Sequence, residues 1–329
     1  MSSIDLNIKN YDNSGLYAQG TYGNVSRLKH RKDGYEVACK IISSLDLERN
    51  GLKASDIQKE IEILEIVKNV KNPPNGLLKY YGQSSQIMDK TSTTLFYLFF
   101  EFLPLTLRQV LNENEKNGQC DFEFAFSVFD TLLNTLAFLQ EIDINHRDIH
   151  PSNILFNHDK TQVKLIDFGL SKNIANVQQN RIQFSVSVLE GSLYIAPEFQ
   201  QAEQNQRSRM KIDDYFKSDA YSFGLVMMEL VRSKKLQNNM EDLDQKLKKA
   251  IEEVEKMRIS DDLKEKHQLL VTLLKGFLKT DPKIRLNFRQ AFLKKIQLNN
   301  PDKYNACILI LESKGYPSPC LDTSLFFYF

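Results

Sequence analysis

The chain is poor in cysteine, has almost no net charge, and lacks long apolar runs and internal repeats; each shortage excludes something. Its four cysteines, Cys39, Cys120, Cys307 and Cys320, lie too far apart for a metal-ligand pair. They are also too few for a disulfide framework, so free thiols in a reducing compartment are expected. Lys and Arg number 43 against 42 Asp and Glu, a net charge of +1. That balance argues against a protein dedicated to nucleic acid or to a membrane surface, while leaving room for a local basic patch. The opening "MSSIDLNIKN" has neither a charged leader nor an apolar core, so no signal peptide is expected. The longest apolar runs, such as "TLFYLFF", are too short to span a bilayer. The expectation is a cytoplasmic protein, with the nucleus left open.

What is present is a chain of 329 residues, long enough for a large core and longer than the usual single domain. Its front is strand-rich. "GLYAQGTYGNVSRLKH" and "GYEVACKIISS" combine β-branched and aromatic residues with turn glycines, as a hairpin pair does. From Asp56 to Val70, apolar residues at Ile57, Ile61, Leu64 and Val67 have helical spacing, and "NPPNG" ends that helix. "TTLFYLFFEFLP" reads as a buried strand closed by Pro104. Beyond it the period becomes helical. "FEFAFSVFDTLLNTLAFLQEI", "SDAYSFGLVMMELV" and "HQLLVTLLKGFL" read as core helices. Met240 to Met257 carries Met240, Leu243, Leu247, Ile251 and Val254 on one face and reads as a surface helix. A strand-rich front and a helical back predict an α+β protein in two lobes. From about Gln297 to Phe329 no period is strong, and the apolar "SLFFYF" needs something to dock on.

Candidate chemistry lies in four places. "GTYGNV" alone is weak evidence, because two glycines near a turn are more often a hairpin device. With Lys40 on the next strand it gains force: glycines let backbone N–H groups approach phosphate, and a lysine adds positive charge. A buried lysine needs an anion beside it. Glu60 is favoured, with Glu62 and Glu65 as rivals that the helical period does not separate. "NHRDIHPSNILF" places Asp148 and Asn153 on a loop, since Pro151 interrupts any helix. "LIDFGL" places Asp167 at the end of another apolar stretch. The oxygens of Asn153 and Asp167 suit Mg2+ shared with a phosphate, and Asp148 is left to accept a hydroxyl proton.

This set resembles the eukaryotic protein kinase family, with the Ser/Thr form the nearer one. "AQGTYGNV" resembles the Gly-rich loop, "VACK" the lysine strand, "HRDIHPSN" the catalytic loop, "DFG" the metal motif and "YIAPE" the end of the activation segment. "SDAYSFG" resembles the start of the large lobe's central helix, and "DPKIR" a late segment whose Arg285 would pair with Glu198. The resemblance implies a two-lobe α+β fold, with a small β-rich N-lobe holding one main helix and a larger, mainly helical C-lobe. The kinase domain would run over 11–296, with the N-lobe at about 11–101, the hinge at about 101–104 and the C-lobe at about 105–296. Residues 1–10 and 297–329 would be tails, the latter a place for a regulatory partner.

Carried over residue by residue, the resemblance implies ATP and Mg2+ as cofactors and protein substrates as partners. Lys40 would hold the α- and β-phosphates, with Glu60 orienting it. Asp148 would be the catalytic base, and Asn153 and Asp167 would hold the metal. Ala18, Gly20 and Gly23 would cover the phosphates, and Val25, Ala38 and Leu155 would line the nucleotide site. Phe100 would narrow the back of the adenine pocket, and the backbone of Glu101 to Leu103 would bond the adenine edge. Leu64, Tyr80, His146 and Phe168 would stack in the core, making His146 a packing residue. Arg147 would collect a phosphate on Ser185 or Ser187.

The sequence departs from the family pattern in several places. Ala18 replaces the first loop glycine, and His150 stands where Ser/Thr kinases carry a lysine, a site for contact with the transferred phosphate. "GSLYIAPE" is one residue short, and a Gln-, Asn- and Arg-rich stretch lengthens the chain between Glu198 and Asp219. These departures bear on substrate docking and transfer rate, not on nucleotide binding. The rival readings are a pseudokinase that acts as a nucleotide-binding scaffold, against which intact Lys40, Asp148 and Asp167 weigh, and a small-molecule phosphotransferase, which would lack "APE".

Overall fold

A computed structural model describes residues 4–20, 23–49, 53–88, 93–117, 121–175, 191–200, 212–235, 242–302 and 304–305. Ser185, Ser187, Met240, "SLFFYF" and the three cysteines other than Cys39 lie outside them. The chain divides into two compact units.

The first unit takes in residues 1–73, 77–105 and 155–171. Its frame is an antiparallel sheet of β1 (Tyr11–Gly20), β2 (Gly23–His30), β3 (Glu36–Ser43), β4 (Tyr80–Met88) and β5 (Thr93–Glu101), in the order β1-β2-β3-β5-β4. In the β1–β2 pair Gly20 stands opposite Gly23 and Ala18 opposite Val25. A Cβ at Gly23 would sit 2.5 Å from the carbonyl oxygen of Ile41, so the close approach of β2 and β3 there requires glycine. Side chains alternate across a strand. On β3, Ala38, Lys40 and Ile42 therefore take one face, and Val37, Cys39 and Ile41 the other.

Two helices follow β3: α1 (Ser44–Arg49) and α2 (Ala54–Lys68). The α2 helix begins two residues before the expected Asp56, because the Asp56 carboxylate accepts a hydrogen bond from the Lys53 N–H and caps it. Its inward residues Ile57, Ile61, Leu64 and Val67 are all buried, as the period predicts. Short strands β6 (Ile154–Phe156) and β7 (Val163–Leu165) come later in the chain, and the Leu165 carbonyl accepts from the Leu78 N–H.

The second unit takes in residues 74–76, 106–154 and 172–329 and is helical. Its described helices include α3 (Leu107–Asn117), α4 (Phe122–Glu141), α5 (Ile212–Arg232), α6 (Leu243–Glu255), α7 (Lys264–Phe277) and α8 (Phe288–Asn299). The α4 helix is capped by Asp121, whose carboxylate accepts from the Phe124 N–H. By length and composition α4 is apolar enough to cross a membrane, but 61% of its most apolar window is buried within the protein, which is how a core helix reads. Its Phe129 stacks on Phe223 of α5 with ring centroids 5.5 Å apart, and Phe223 meets Phe277 of α7 and Phe288 of α8 edge-on. The α6 helix buries Leu247, Ala250 and Val254 and leaves Ile251 partly exposed, as a surface helix does.

Candidate active site

The first unit holds a pocket lined by Gly23, Val25, Ala38, Lys40, Glu60, Leu64, Leu78, Phe100, Glu101, Leu155, Ile166, Asp167 and Phe168. Strand pairing explains its walls. Lys40 stands opposite Val25 on one side and Leu98 on the other, and Ala38 stands opposite Phe100. The Phe100 ring in turn lies 5.3 Å from the ring of Tyr80.

Lys40 is the electrostatic centre. Its Nζ lies 2.8 Å from Oε1 of Glu60 and 3.0 Å from Oδ1 of Asp167. Burial alone would lower the Lys40 ammonium, but the charges of Asp167 and Glu60 outweigh it and hold it above its ordinary value. Glu60 is pushed up, first by burial and then by the charge of Asp167, with Lys40 pulling the other way. The choice among three glutamates is thus settled by burial: Glu60 is 4% exposed, whereas Glu62 is exposed and Glu65 pairs with Lys68. Asp167 has φ +66, a strained conformation for a non-glycine residue, and its Oδ1 also accepts from the Gly169 N–H at 3.1 Å.

At the end of β5 the Glu101 N–H donates to the Lys79 carbonyl, and the Glu101 carboxylate accepts from the Lys79 N–H. Within the expected adenine-binding stretch Glu101 to Leu103, the Glu101 N–H is therefore already used. Leu64, Tyr80 and Phe168 are buried in this unit; His146 is buried in the other.

The second unit holds the loop of Asp148 and Asn153. Pro151 opens a single 3-10 turn, Pro151–Asn153, closed by the Asn153 N–H donating to the His150 carbonyl. The turn carries Asn153 back to Asp148. Its Nδ2 donates to both Oδ2 and the backbone carbonyl of Asp148, each at 2.9 Å. With the amide N–H2 so engaged, the amide oxygen is the atom left for another partner. The Nε2 of His150 lies 3.5 Å from Oδ2 of Asp148, and its ring lies 6.4 Å from that of Tyr194. Glu198 and Arg285 form the expected pair, with bonds of 2.6 and 2.9 Å.

Two groups were not singled out for a role by the sequence. Asp219, in α5, accepts from the N–H groups of His146 and Arg147 at 2.8 and 2.9 Å and from Nδ2 of Asn145 at 2.6 Å. It fixes the approach to Asp148, where Arg147 takes φ +70. Burial pushes the Asp219 carboxyl up to about 7, and the N–H donors work against that rise. The second group is the Tyr194 hydroxyl, which accepts from Arg108 at 2.5 Å and donates to Glu229 at 2.8 Å. An acid inside an apolar helical run, as in "SDAYSFGLVMMEL", is the signal that marks both Asp219 and Glu229.

The model of the protein kinase domain matches residues 11–295. The chain belongs to the protein kinase domain family. Its α+β architecture, a five-stranded sheet unit and a helical unit, is that of the two-lobe kinase fold. The chain is similar to MAP kinase kinase MKK1/SSP32 of Saccharomyces cerevisiae, 27% identical over 67% of this chain and 38% of the relative. It is similar to cyclin-dependent kinase 9 of Danio rerio, 30% identical over 70% of this chain and 58% of the relative. It is also similar to the Arabidopsis thaliana leaf rust 10 disease-resistance locus receptor-like protein kinase-like 1.4, 33% identical over 62% of this chain and 27% of the relative. The chain thus spans less than two thirds of the length of each of these relatives.

Members of this family use ATP and Mg2+, and each unit carries a hard oxygen donor of the kind Mg2+ takes. Mg2+ is typically held by one or two protein oxygens plus substrate phosphates. The Asp167 carboxylate, 30% exposed, and the Asn153 amide oxygen are hard donors of that kind.

Proposed function

We propose that the chain transfers the γ-phosphoryl group of ATP to serine or threonine hydroxyls of protein substrates. The observation that carries this reading is Lys40 held between Glu60 and Asp167 in a pocket whose other walls, Glu101 apart, are glycine and apolar side chains. One ammonium facing two carboxylates leaves an excess negative charge, which a metal-bound polyphosphate complements from both sides. Lys40 would bond phosphate oxygens, and Glu60 would keep its chain extended. Asn153 and Asp167 would hold Mg2+, which supplies charge neutralisation of the phosphate oxygens when bound. The bond from the γ-phosphorus to the ADP oxygen breaks as the bond to the acceptor hydroxyl forms, and Asp148 takes the hydroxyl proton. Asn153 holds Asp148 in position for that step through Nδ2. His150 would add an imidazole contact to the transferred phosphate.

Protein as the acceptor rests on the "APE" segment, and on a relative that is by name a kinase of MAP kinases. Preference for Ser and Thr rests on the form of "GSLYIAPE". The test is γ-labelled ATP with Mg2+ offered to a peptide library containing Ser, Thr or Tyr acceptors and to a panel of small alcohols. Label on Ser and Thr peptides is expected. Label only on Tyr or on the alcohols overturns the acceptor assignment, and ATP binding without transfer to any of them makes the chain a scaffold.

A further inference from the structure

Residues Ile4–Asn10 precede the matched kinase domain, yet they lie on the sheet. The face of the sheet away from Lys40 carries a buried cluster of Tyr11, Leu28, Val37, Cys39, Tyr97 and Phe99, and Ile4, Leu6 and Ile8 pack against it. Leu6 lies so close to β4 that a Cβ at Gly82, which has φ +146, would stand 2.8 Å from its Cδ1. Few bonds tie the segment down. The Asp5 N–H donates to the Tyr35 hydroxyl at 3.1 Å, the Tyr11 hydroxyl donates to the Asp5 carbonyl, and Ser84 Oγ donates to the Leu6 carbonyl at 2.7 Å. At the far end the Arg31 N–H donates to the Asn10 carbonyl at 2.9 Å. Tyr35 is itself stacked on His30, with ring centroids 4.7 Å apart.

We propose that Ile4–Asn10 is a detachable strap that seals the outer face of the sheet and steadies, through β3, the strand that carries Lys40. Its three apolar side chains are only partly buried, and its ties to the sheet are a handful of hydrogen bonds and a 3.6 Å contact of the Asp5 carboxylate with Nε2 of His30. Segments of that kind open locally, at a free energy well below that of global unfolding. Opening uncovers Val37 and Cys39, whose neighbours Ala38 and Lys40 line the pocket on the opposite face of the same strand. Strap release is thus a conformational device that acts on the Lys40 strand without touching any pocket residue.

Cys39 is the built-in reporter: it is 0% exposed, and burial pushes its thiol up to about 12, so it reacts only when uncovered. In the full chain with Cys120, Cys307 and Cys320 replaced by Ser, the rate of Cys39 modification by a thiol reagent measures opening. Leu6→Glu, or deletion of residues 4–10, is expected to raise that rate at least about tenfold while circular dichroism stays native. Tyr35→Phe removes one hydroxyl and keeps the ring; it is expected to raise the rate about threefold, and it decides the matter if the larger changes unfold the protein. In the unaltered strap the rate should depend only weakly on urea. A rate that is unchanged in folded Leu6→Glu and Tyr35→Phe overturns the proposal. So does a rate that climbs with urea as steeply as global unfolding does.

Discussion

Among the described residues, the charges around Lys40 and those around Asp148 are held in opposite ways. Around Lys40 the charges answer one another: an ammonium from β3, a carboxylate from α2 and another from the segment after β7. Around Asp148 the acids answer neutral N–H groups: Asp219 takes two backbone amides and the Asn145 side chain, and Asp148 takes the Asn153 amide. The first arrangement is an unbalanced charge cluster, one ammonium to two carboxylates. The second is a scaffold in which a carboxylate dictates backbone conformation. The contrast says what each can tolerate. Neutralising a charge in the first changes electrostatics at once, whereas an isosteric change in the second acts through loop shape.

The largest expected effect is at Lys40. Lys40→Met leaves Glu60 and Asp167 without their cation in a buried site, and removing one partner of such a pair costs about 3 kcal/mol. Phosphoryl transfer should fall at least about 10³-fold, since positioning and charge stabilisation supply nearly all of the catalysis. Urea denaturation and a transfer assay check the two halves separately. If the variant is as stable as the unaltered chain, the charge cluster is not what holds these elements together.

Next is Asp219→Asn, which keeps the size of the side chain but turns an N–H2 group toward the amides of His146 or Arg147. The kcat is expected to fall about tenfold through displacement of Asp148, with little change in KM for ATP. The pH dependence has a fixed sign. A carboxyl raised in the folded state to about 7 binds its proton more tightly there than in the unfolded chain. Stability should therefore fall as pH rises from about 4 to about 7, and the Asn variant should lack that slope. Melting temperatures of both proteins across this range measure it. Parallel profiles would mean that the donors alone set the state of Asp219.

Glu60→Gln should do less than Lys40→Met, because Asp167 still holds the ammonium. The expectation is a rise in KM for ATP of about tenfold with the fold intact, read from steady-state kinetics. The smallest effect is at His150. If the imidazole contacts the transferred phosphate, His150→Lys supplies a fixed cation and should raise kcat about threefold, whereas His150→Ala should lower it about as much. Equal kcat values for all three would make His150 a packing residue set between Asp148 and Tyr194.

Much of the sheet unit is legible in the sequence because its signals are local. Strand alternation places Lys40, the turn glycines place the β1–β2 connection, and the period of α2 narrows its partner to three glutamates. Deciding for Glu60 required burial, since Ile61 and Leu64 fix the inward face of the helix but not how far round it the face extends. The scaffold of the second unit is not legible in this way. Asp219 lies 73 residues from the His146 amide that it binds, and no spacing rule links an acid to a backbone N–H at that distance. That Arg108 and Glu229 meet at the Tyr194 hydroxyl is hidden for the same reason. The strap did carry a signal: Ile4, Leu6 and Ile8 alternate with polar residues, the period of a half-buried extended segment.

The excess negative charge beside Lys40 is the centre of this account, and single-turnover transfer from γ-labelled ATP with and without Mg2+ tests it most directly. The unaltered chain should label a Ser/Thr peptide only when Mg2+ is present. Asp167→Asn should lose transfer at least about 10²-fold and bind ATP with an affinity that no longer depends on Mg2+. Mg2+-independent transfer by the unaltered chain, or transfer by Asp167→Asn within a few-fold of it, would contradict the account.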